Sequence, residues 1–118
     1  MDAEMSAERV ALNDATFRNA NERIEGKAES LGVDPVPFLC ECADASCTEI
    51  ILLRLSEYEE IRADPTHFLN APGHDASAGP HAKAVEERAG YAIVAKLGLA
   101  ADIVAQLDER GESEERTG

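Results

Sequence analysis

Residues 38–47 read FLCECADASC, and this stretch contains every cysteine of the chain. Apolar and polar residues alternate through its first half, which is typical of a β-strand with one buried face. The alternation places Phe38, Cys40 and Cys42 on one face and turns Glu41 to the other. We therefore expect the two thiols of this strand to point the same way, close enough together to bind one ion.

A second strand is predicted directly after the first. Residues 37–43 (PFLCECA) and 48–55 (TEIILLRL) both have strand-like composition, and the short segment between them is polar, as in a turn. We therefore predict a β-hairpin. The turn is long enough to bring Cys47 back towards the thiols of the first strand, which completes a C-x-C-x₄-C pattern.

Three clustered thiols in a reducing compartment are typical of a metal site, and zinc is the ion that best fits them. Zn²⁺ binds four sulfur or nitrogen ligands in a tetrahedron, so one further ligand is needed. His74 is our choice because it follows a Pro–Gly turn at the end of a predicted strand, whereas His67 and His81 are the alternatives. The predicted zinc ligands are Cys40, Cys42, Cys47 and His74.

Several functions remain open for such a site. We expect a non-catalytic, zinc-stabilised domain that acts as a regulatory or protein-interaction module. A thiol-based redox switch that releases zinc on oxidation is the first alternative, and it requires exposed, reactive sulfur. An iron–sulfur cluster normally uses four cysteines. A metal-dependent enzyme is a weaker alternative, because no catalytic zinc, nucleophile or phosphate-binding motif occurs in the chain.

A long N-terminal helix is predicted over residues 6–31. Ser6 can cap its first turn and Gly32 can end it. Its apolar residues recur every seventh position, which predicts a narrow stripe that packs on the rest of the chain. The stripe comprises Val10, Phe17, Ile24 and Leu31. The opposite face is a candidate docking surface, and it carries Arg18, Asn19, Asn21, Glu22 and Arg23.

The second half of the chain alternates between helix and strand signals. Residues 56–65 predict a short helix with a capping box formed by Ser56 and Glu59, and with Tyr58 and Ile61 facing inward. The remaining predictions are a strand at 66–71, a polar loop at 75–80, a helical turn or two at 83–90, a strand at 91–98, and a helix or strand at 99–107.

These elements predict an α+β fold. An amphipathic N-terminal helix packs on a small, mostly antiparallel sheet of three to four strands, and the metal staples the hairpin. We expect one domain over residues 1–107, followed by a disordered acidic tail over residues 108–118, because the tail has no apolar side chain to bury.

The composition narrows the choice of partners. The formal net charge is −13, so phosphate backbones and anionic membranes repel the chain, and we expect neither nucleic acid nor membrane as a partner. No secretory signal or transmembrane run is visible, which predicts a cytoplasmic protein with reduced thiols. A monomer that binds an unknown protein is favoured, and a homodimer through the first helix is the alternative.

Four segments together resemble a known family. They are FRNANERIE (17–25), FLCECADASC (38–47), EYEEIRADPTHFLNAPGH (57–74) and GYAIVAKLG (90–98). In this order they resemble short proteins of high-GC Gram-positive bacteria for which no activity is established. The resemblance runs over residues 10–98, and it implies a common fold and a common metal site at the same three cysteines and His74.

Overall fold

The computed structural model describes residues 5–110, and it has the predicted α+β fold. Among these residues, none of the helices has the length and apolar character needed to cross a membrane. The elements in chain order are α1 (Ala7–Leu31), β1 (Val36–Leu39), β2 (Ile50–Leu53), α2 (Leu55–Arg62), β3 (His67–Asn70), a 3₁₀ segment (His74–His81), β4 (Ala82–Arg88), β5 (Tyr91–Lys96) and α3 (Gly98–Leu107).

The strands form two antiparallel sheets rather than the single sheet of three to four strands that we predicted. β1 pairs with β2 in the predicted hairpin, and β3, β5 and β4 form a second sheet in that spatial order. The additional strand is β4, in a segment that we predicted to contain a helical turn. Its sequence, AKAVEER, has a high helix propensity, but pairing along β5 overrides that local preference.

Both ends of α1 are as predicted. The hydroxyl group of Ser6 accepts a hydrogen bond from the backbone N–H of Arg9 at 3.1 Å, and Gly32 ends the helix in a left-handed conformation (φ 73°). Only glycine adopts this conformation without strain. The segment at 99–107, for which we predicted either a helix or a strand, lies in helix α3.

The buried face of α1 differs from the predicted apolar stripe. Leu31 is 65% exposed, and Phe17 and Ile24 are only partly buried. The deeply buried side chains include Arg18 and Asn21, both 0% exposed, so neither belongs to an exposed docking surface. The prediction is confirmed for Val10, which is 0% exposed, and it is wrong for Leu31. It ranked residues by hydropathy alone, whereas this helix also buries polar side chains that have specific partners.

Arg18 is the clearest of these buried polar residues. Its guanidinium group donates hydrogen bonds to the carbonyl oxygens of Pro65 (2.6 Å) and Val104 (2.8 Å), and it lies 4.5 Å from the ring centroid of Phe68. Carbonyl acceptors and an aromatic face compensate a buried cation for its lost water. Arg18 therefore joins α1 to α3 and to the chain just before β3.

The start of α2 also differs from the prediction. A carboxylate oxygen of Glu57 accepts from the backbone N–H of Arg54 at 2.8 Å, so the helix begins earlier than the predicted capping box of Ser56 and Glu59. The inward direction of Tyr58 and Ile61 is confirmed, since both are 0% exposed. The Tyr58 ring stacks on Phe38 of β1, with the centroids 4.3 Å apart, and this contact attaches α2 to the hairpin.

Ion pairs order the residues that follow α3, where we had predicted the start of the tail. Asp108 is 4% exposed and accepts a hydrogen bond from the Arg62 guanidinium at 2.7 Å. Arg110 donates to Glu25 (2.9 Å) and to Glu59 (2.7 Å). The packed part of the chain thus extends to residue 110, and residues 111–118 of the predicted tail lie outside the described residues.

Candidate metal centre

The structure brings the four predicted ligands together from two distant segments. Cys40 and Cys42 follow β1, Cys47 lies in the loop that leads to β2, and His74 begins the 3₁₀ segment after β3. Their three sulfur atoms and one imidazole nitrogen all lie within 4.8 Å of one another. This Cys₃His cluster is compatible with the binding of a metal ion.

Two sulfur–nitrogen distances within the cluster agree with tetrahedral coordination of one metal ion. The Nδ1 atom of His74 lies 3.5 Å from the sulfur of Cys40 and 3.6 Å from the sulfur of Cys47. With Zn–S near 2.3 Å and Zn–N near 2.0–2.1 Å, a tetrahedron requires a sulfur–nitrogen separation of about 3.6 Å. The imidazole nitrogen is therefore already at the distance that one shared ion imposes.

The hairpin positions the three sulfur atoms through its backbone. The N–H of Cys40 donates to the carbonyl of Glu49 (3.0 Å), which continues the β1–β2 pairing beyond the strand ends, and the N–H of Cys47 donates to the carbonyl of Asp44 (3.0 Å). The Asp44 carboxylate accepts from the N–H and the hydroxyl group of Ser46. Such side-chain-to-backbone bonds stabilise a tight turn, and this turn directs Cys47 towards the other thiols.

A second set of backbone contacts holds the His74 segment against the hairpin. The N–H of Glu41 donates to the carbonyl of Leu69 (2.6 Å), and the N–H of Ala71 donates to the sulfur of Cys40 (3.2 Å). Gly73 turns the chain with a positive φ of 81°, so that His74 returns towards the thiols. The N–H of Ala71 is also the kind of donor that stabilises a metal-bound thiolate.

The three thiols differ in their pKa values. A hydrogen bond from Cys40 is the largest cause that lowers the pKa of Cys42 to about 5, and the same bond raises the pKa of Cys40. Burial raises the pKa of Cys47. The sulfur atoms alone therefore favour one thiolate beside protonated neighbours, and a divalent cation is needed to hold all three as thiolates.

Glu41 lies between two of the thiols in sequence, yet it faces away from them, as the alternation predicts. It is 0% exposed, and its carboxylate accepts from the Tyr58 hydroxyl group (2.6 Å), the Asn21 amide (2.8 Å) and the N–H of Leu69 (3.0 Å). Burial raises its pKa, and the three donors oppose that effect. The carboxylate therefore joins α1, α2 and β3 behind the cluster.

Sequence reasoning missed this buried network. Asn21 also binds the edge of β1, because its amide accepts from the N–H of Leu39 and donates to the Leu39 carbonyl, both at 2.9 Å. The available signal was the poor helix propensity of asparagine in the middle of α1. We instead placed Asn21 on the candidate docking surface, whereas its side chain is buried.

The two alternative histidines do not belong to the cluster. His67 lies on β3 beside the carboxylate of Asp64, 3.4 Å away, and is partly exposed. The Nε2 atom of His81 lies 3.2 Å from the carbonyl oxygen of Met5. The structure thus places His74 with the thiols and leaves the other two histidines at separate positions.

Comparisons of the chain with protein-family models, with curated proteins and with solved structures found no match. The resemblance to short bacterial proteins therefore stays a prediction.

Proposed function

We propose that Cys40, Cys42, Cys47 and His74 bind one zinc ion, and that the protein is a non-catalytic, zinc-stabilised regulatory or interaction module. The observation that supports this proposal is the convergence of four donor atoms from two distant segments. In this role, zinc joins the β1–β2 hairpin to the turn after β3. The bound metal stabilises the fold. This contribution matters because the chain has no tryptophan and few other aromatic residues, so its hydrophobic core supplies only part of the stability.

The donor set supports zinc in a structural rather than a catalytic role. Thiolate and imidazole ligands suit zinc, and four protein ligands fill its tetrahedron without leaving a position for water or substrate. Three thiolates and a neutral imidazole around Zn²⁺ carry a net charge of −1, which the N–H donor of Ala71 partly offsets. The nearest carboxylate in sequence, Glu41, is bound behind the site and is not available as a base.

The burial of two of the three thiols favours this role over a redox switch, although Cys47 is partly exposed. Cys40 is 1% exposed and Cys42 is 0% exposed, so an oxidant in solution has little access to either sulfur. Reactive cysteines are instead accessible to solvent. Free thiols arranged as metal ligands also support a reducing compartment, so we propose a cytoplasmic location.

The choice of histidine gives a direct test with a matched control. We expect His74→Ala to lower zinc affinity at least about 100-fold, because it removes one of four ligands. The position is partly buried, so a water molecule can replace the imidazole as the fourth ligand. His81→Ala makes the same chemical change outside the cluster and should keep one zinc per chain. Competition with a chromogenic chelator measures both affinities. Equal affinities of His74→Ala and wild type would contradict the proposal.

A further inference from the structure

Three carboxyl groups between α1 and α2 hold one arginine side chain. The guanidinium group of Arg110 donates to Glu22 (3.2 Å) and Glu25 (2.9 Å) of α1. It also donates to both carboxylate oxygens of Glu59 of α2, at 3.1 and 2.7 Å. All three nitrogen atoms of the planar guanidinium group are used, whereas a lysine has only one. We call Glu22, Glu25 and Glu59 the guanidinium site.

The guanidinium site has more acceptors than the chain fills with donors. Together with the adjoining pair of Arg62 and Asp108, four carboxyl groups lie against two guanidinium groups. Glu25 is 4% exposed, yet its Oε2 atom has no hydrogen-bond partner among the described residues. Burial, and then the nearby Glu59 carboxylate, raise the pKa of Glu25 to about 8. Buried carboxylates are normally paired, so this site still attracts a cation.

The segment that carries Arg110 is attached by its side chains. It follows α3, and Asp108 anchors it to Arg62. Within the described part of the chain, the backbone of residues 108–110 forms no hydrogen bond with α1 or α2. The side chain of Arg110 is 32% exposed and that of Glu59 is 49% exposed. Arg110 can therefore leave the site without breaking a helix or a sheet, and solvent reaches the site from the side of Glu59.

We propose that the guanidinium site binds an arginine side chain from a basic, extended segment of a protein partner, and that Arg110 occupies the site as an internal competitor when no partner is present. The partner's arginine then makes the contacts that Arg110 makes in the free chain. This inference names the kind of partner for the interaction role proposed above and rests on that role, but it does not depend on which metal is bound.

Charge and geometry both favour this ligand. The net charge of −13 attracts basic segments and repels anionic ones. Carboxylates that receive a planar fork from several directions select arginine over lysine, because an ammonium group cannot reach them all at once. A metal ion fits less well. Among residues 5–110 only the Cys₃His cluster brings three or more possible ligand atoms close enough together for one ion.

The test removes the internal arginine and uses Arg88 as the matched control. Arg110→Ala should bind a fluorescein-labelled hexapeptide of alternating arginine and glycine at least about 10-fold more tightly than wild type, because the competitor is gone. Arg88→Ala makes the same change in charge and frees the exposed carboxylates of Glu60 and Glu86, and it should bind the peptide as wild type does. Fluorescence anisotropy in about 0.15 M salt measures each dissociation constant.

Further measurements test the chemistry of the site. Arg110→Ala should bind the matching lysine–glycine peptide at least about 5-fold more weakly than the arginine peptide. Adding Glu25→Gln to Arg110→Ala should cancel the gain in affinity. Arg110→Lys keeps the charge that holds the segment and should gain about 3-fold, which keeps the test open if Arg110→Ala does not fold. Circular dichroism and zinc content show whether each variant is folded.

Each outcome decides the proposal. A gain in Arg110→Ala that Arg88→Ala lacks, together with a preference for arginine over lysine, would support it. Equal affinities of these two variants would overturn it, as would equal binding of the two peptides, since either result indicates only a general attraction to an acidic chain. No binding by any variant up to about 1 mM peptide would also overturn it. Zinc content is measured separately, so none of these results decides the metal assignment.

Discussion

Cys42→Ser is expected to weaken zinc binding strongly and to destabilise the domain at neutral pH. Cys42 is 0% exposed, so no water can take the place of the lost thiolate. Removal of one buried ligand should lower zinc affinity at least about 1,000-fold, or about 4 kcal/mol. Small domains have about 5–15 kcal/mol of stability in total, so this loss is a large part of it.

The measurement is a urea denaturation curve together with the zinc content of each purified protein. Thr48→Ala is a suitable control, because Thr48 lies in the same loop and is exposed. That variant should unfold with the wild type and keep one zinc per chain. A Cys42→Ser protein with full zinc content and an unchanged midpoint would show that this sulfur is not a ligand.

Glu41→Gln is expected to destabilise the fold by about 3 kcal/mol without removing the metal. All three partners of this buried carboxylate donate hydrogen bonds to it. A glutamine amide must direct its NH₂ group at one of these donors, which leaves buried polar groups unsatisfied. The free energy of unfolding should therefore fall while the zinc content stays near one per chain.

Two further variants separate the network from a general effect of charge. Tyr58→Phe removes one of the three donors and should cost about 1–1.5 kcal/mol. Glu29→Gln makes the same change as Glu41→Gln on the exposed side of α1 and should cost almost nothing. If Glu41→Gln were as stable as Glu29→Gln, the carboxylate would not be needed to join the three elements.

The spacing of the cysteines predicted the candidate site because its signal is local. Alternation within residues 38–42 places Cys40 and Cys42 on one side, a short turn returns Cys47, and the Pro–Gly turn marks His74. Helix ends were predicted equally well at Ser6 and Gly32, since a cap depends on only a few neighbouring residues.

The parts that were not predicted depend on partners far away in the sequence. Arg18 binds the carbonyls of Pro65 and Val104. The periodicity of hydropathy assigns a charged residue to the surface, because the pattern contains no information about the distant groups that the residue binds. β4 exists because β5 lies beside it, although its own sequence favours a helix. The same reason explains why Asp108 belongs to the packed domain: its partner is Arg62 of α2.

X-ray absorption at the zinc edge of the purified protein tests the metal centre most directly. We predict one zinc per chain, with three sulfur atoms at about 2.3 Å and one nitrogen at about 2.0–2.1 Å. A first shell with fewer than three sulfur atoms, or a protein purified with iron or with no metal under reducing conditions, would contradict the assignment of Cys40, Cys42, Cys47 and His74 as zinc ligands.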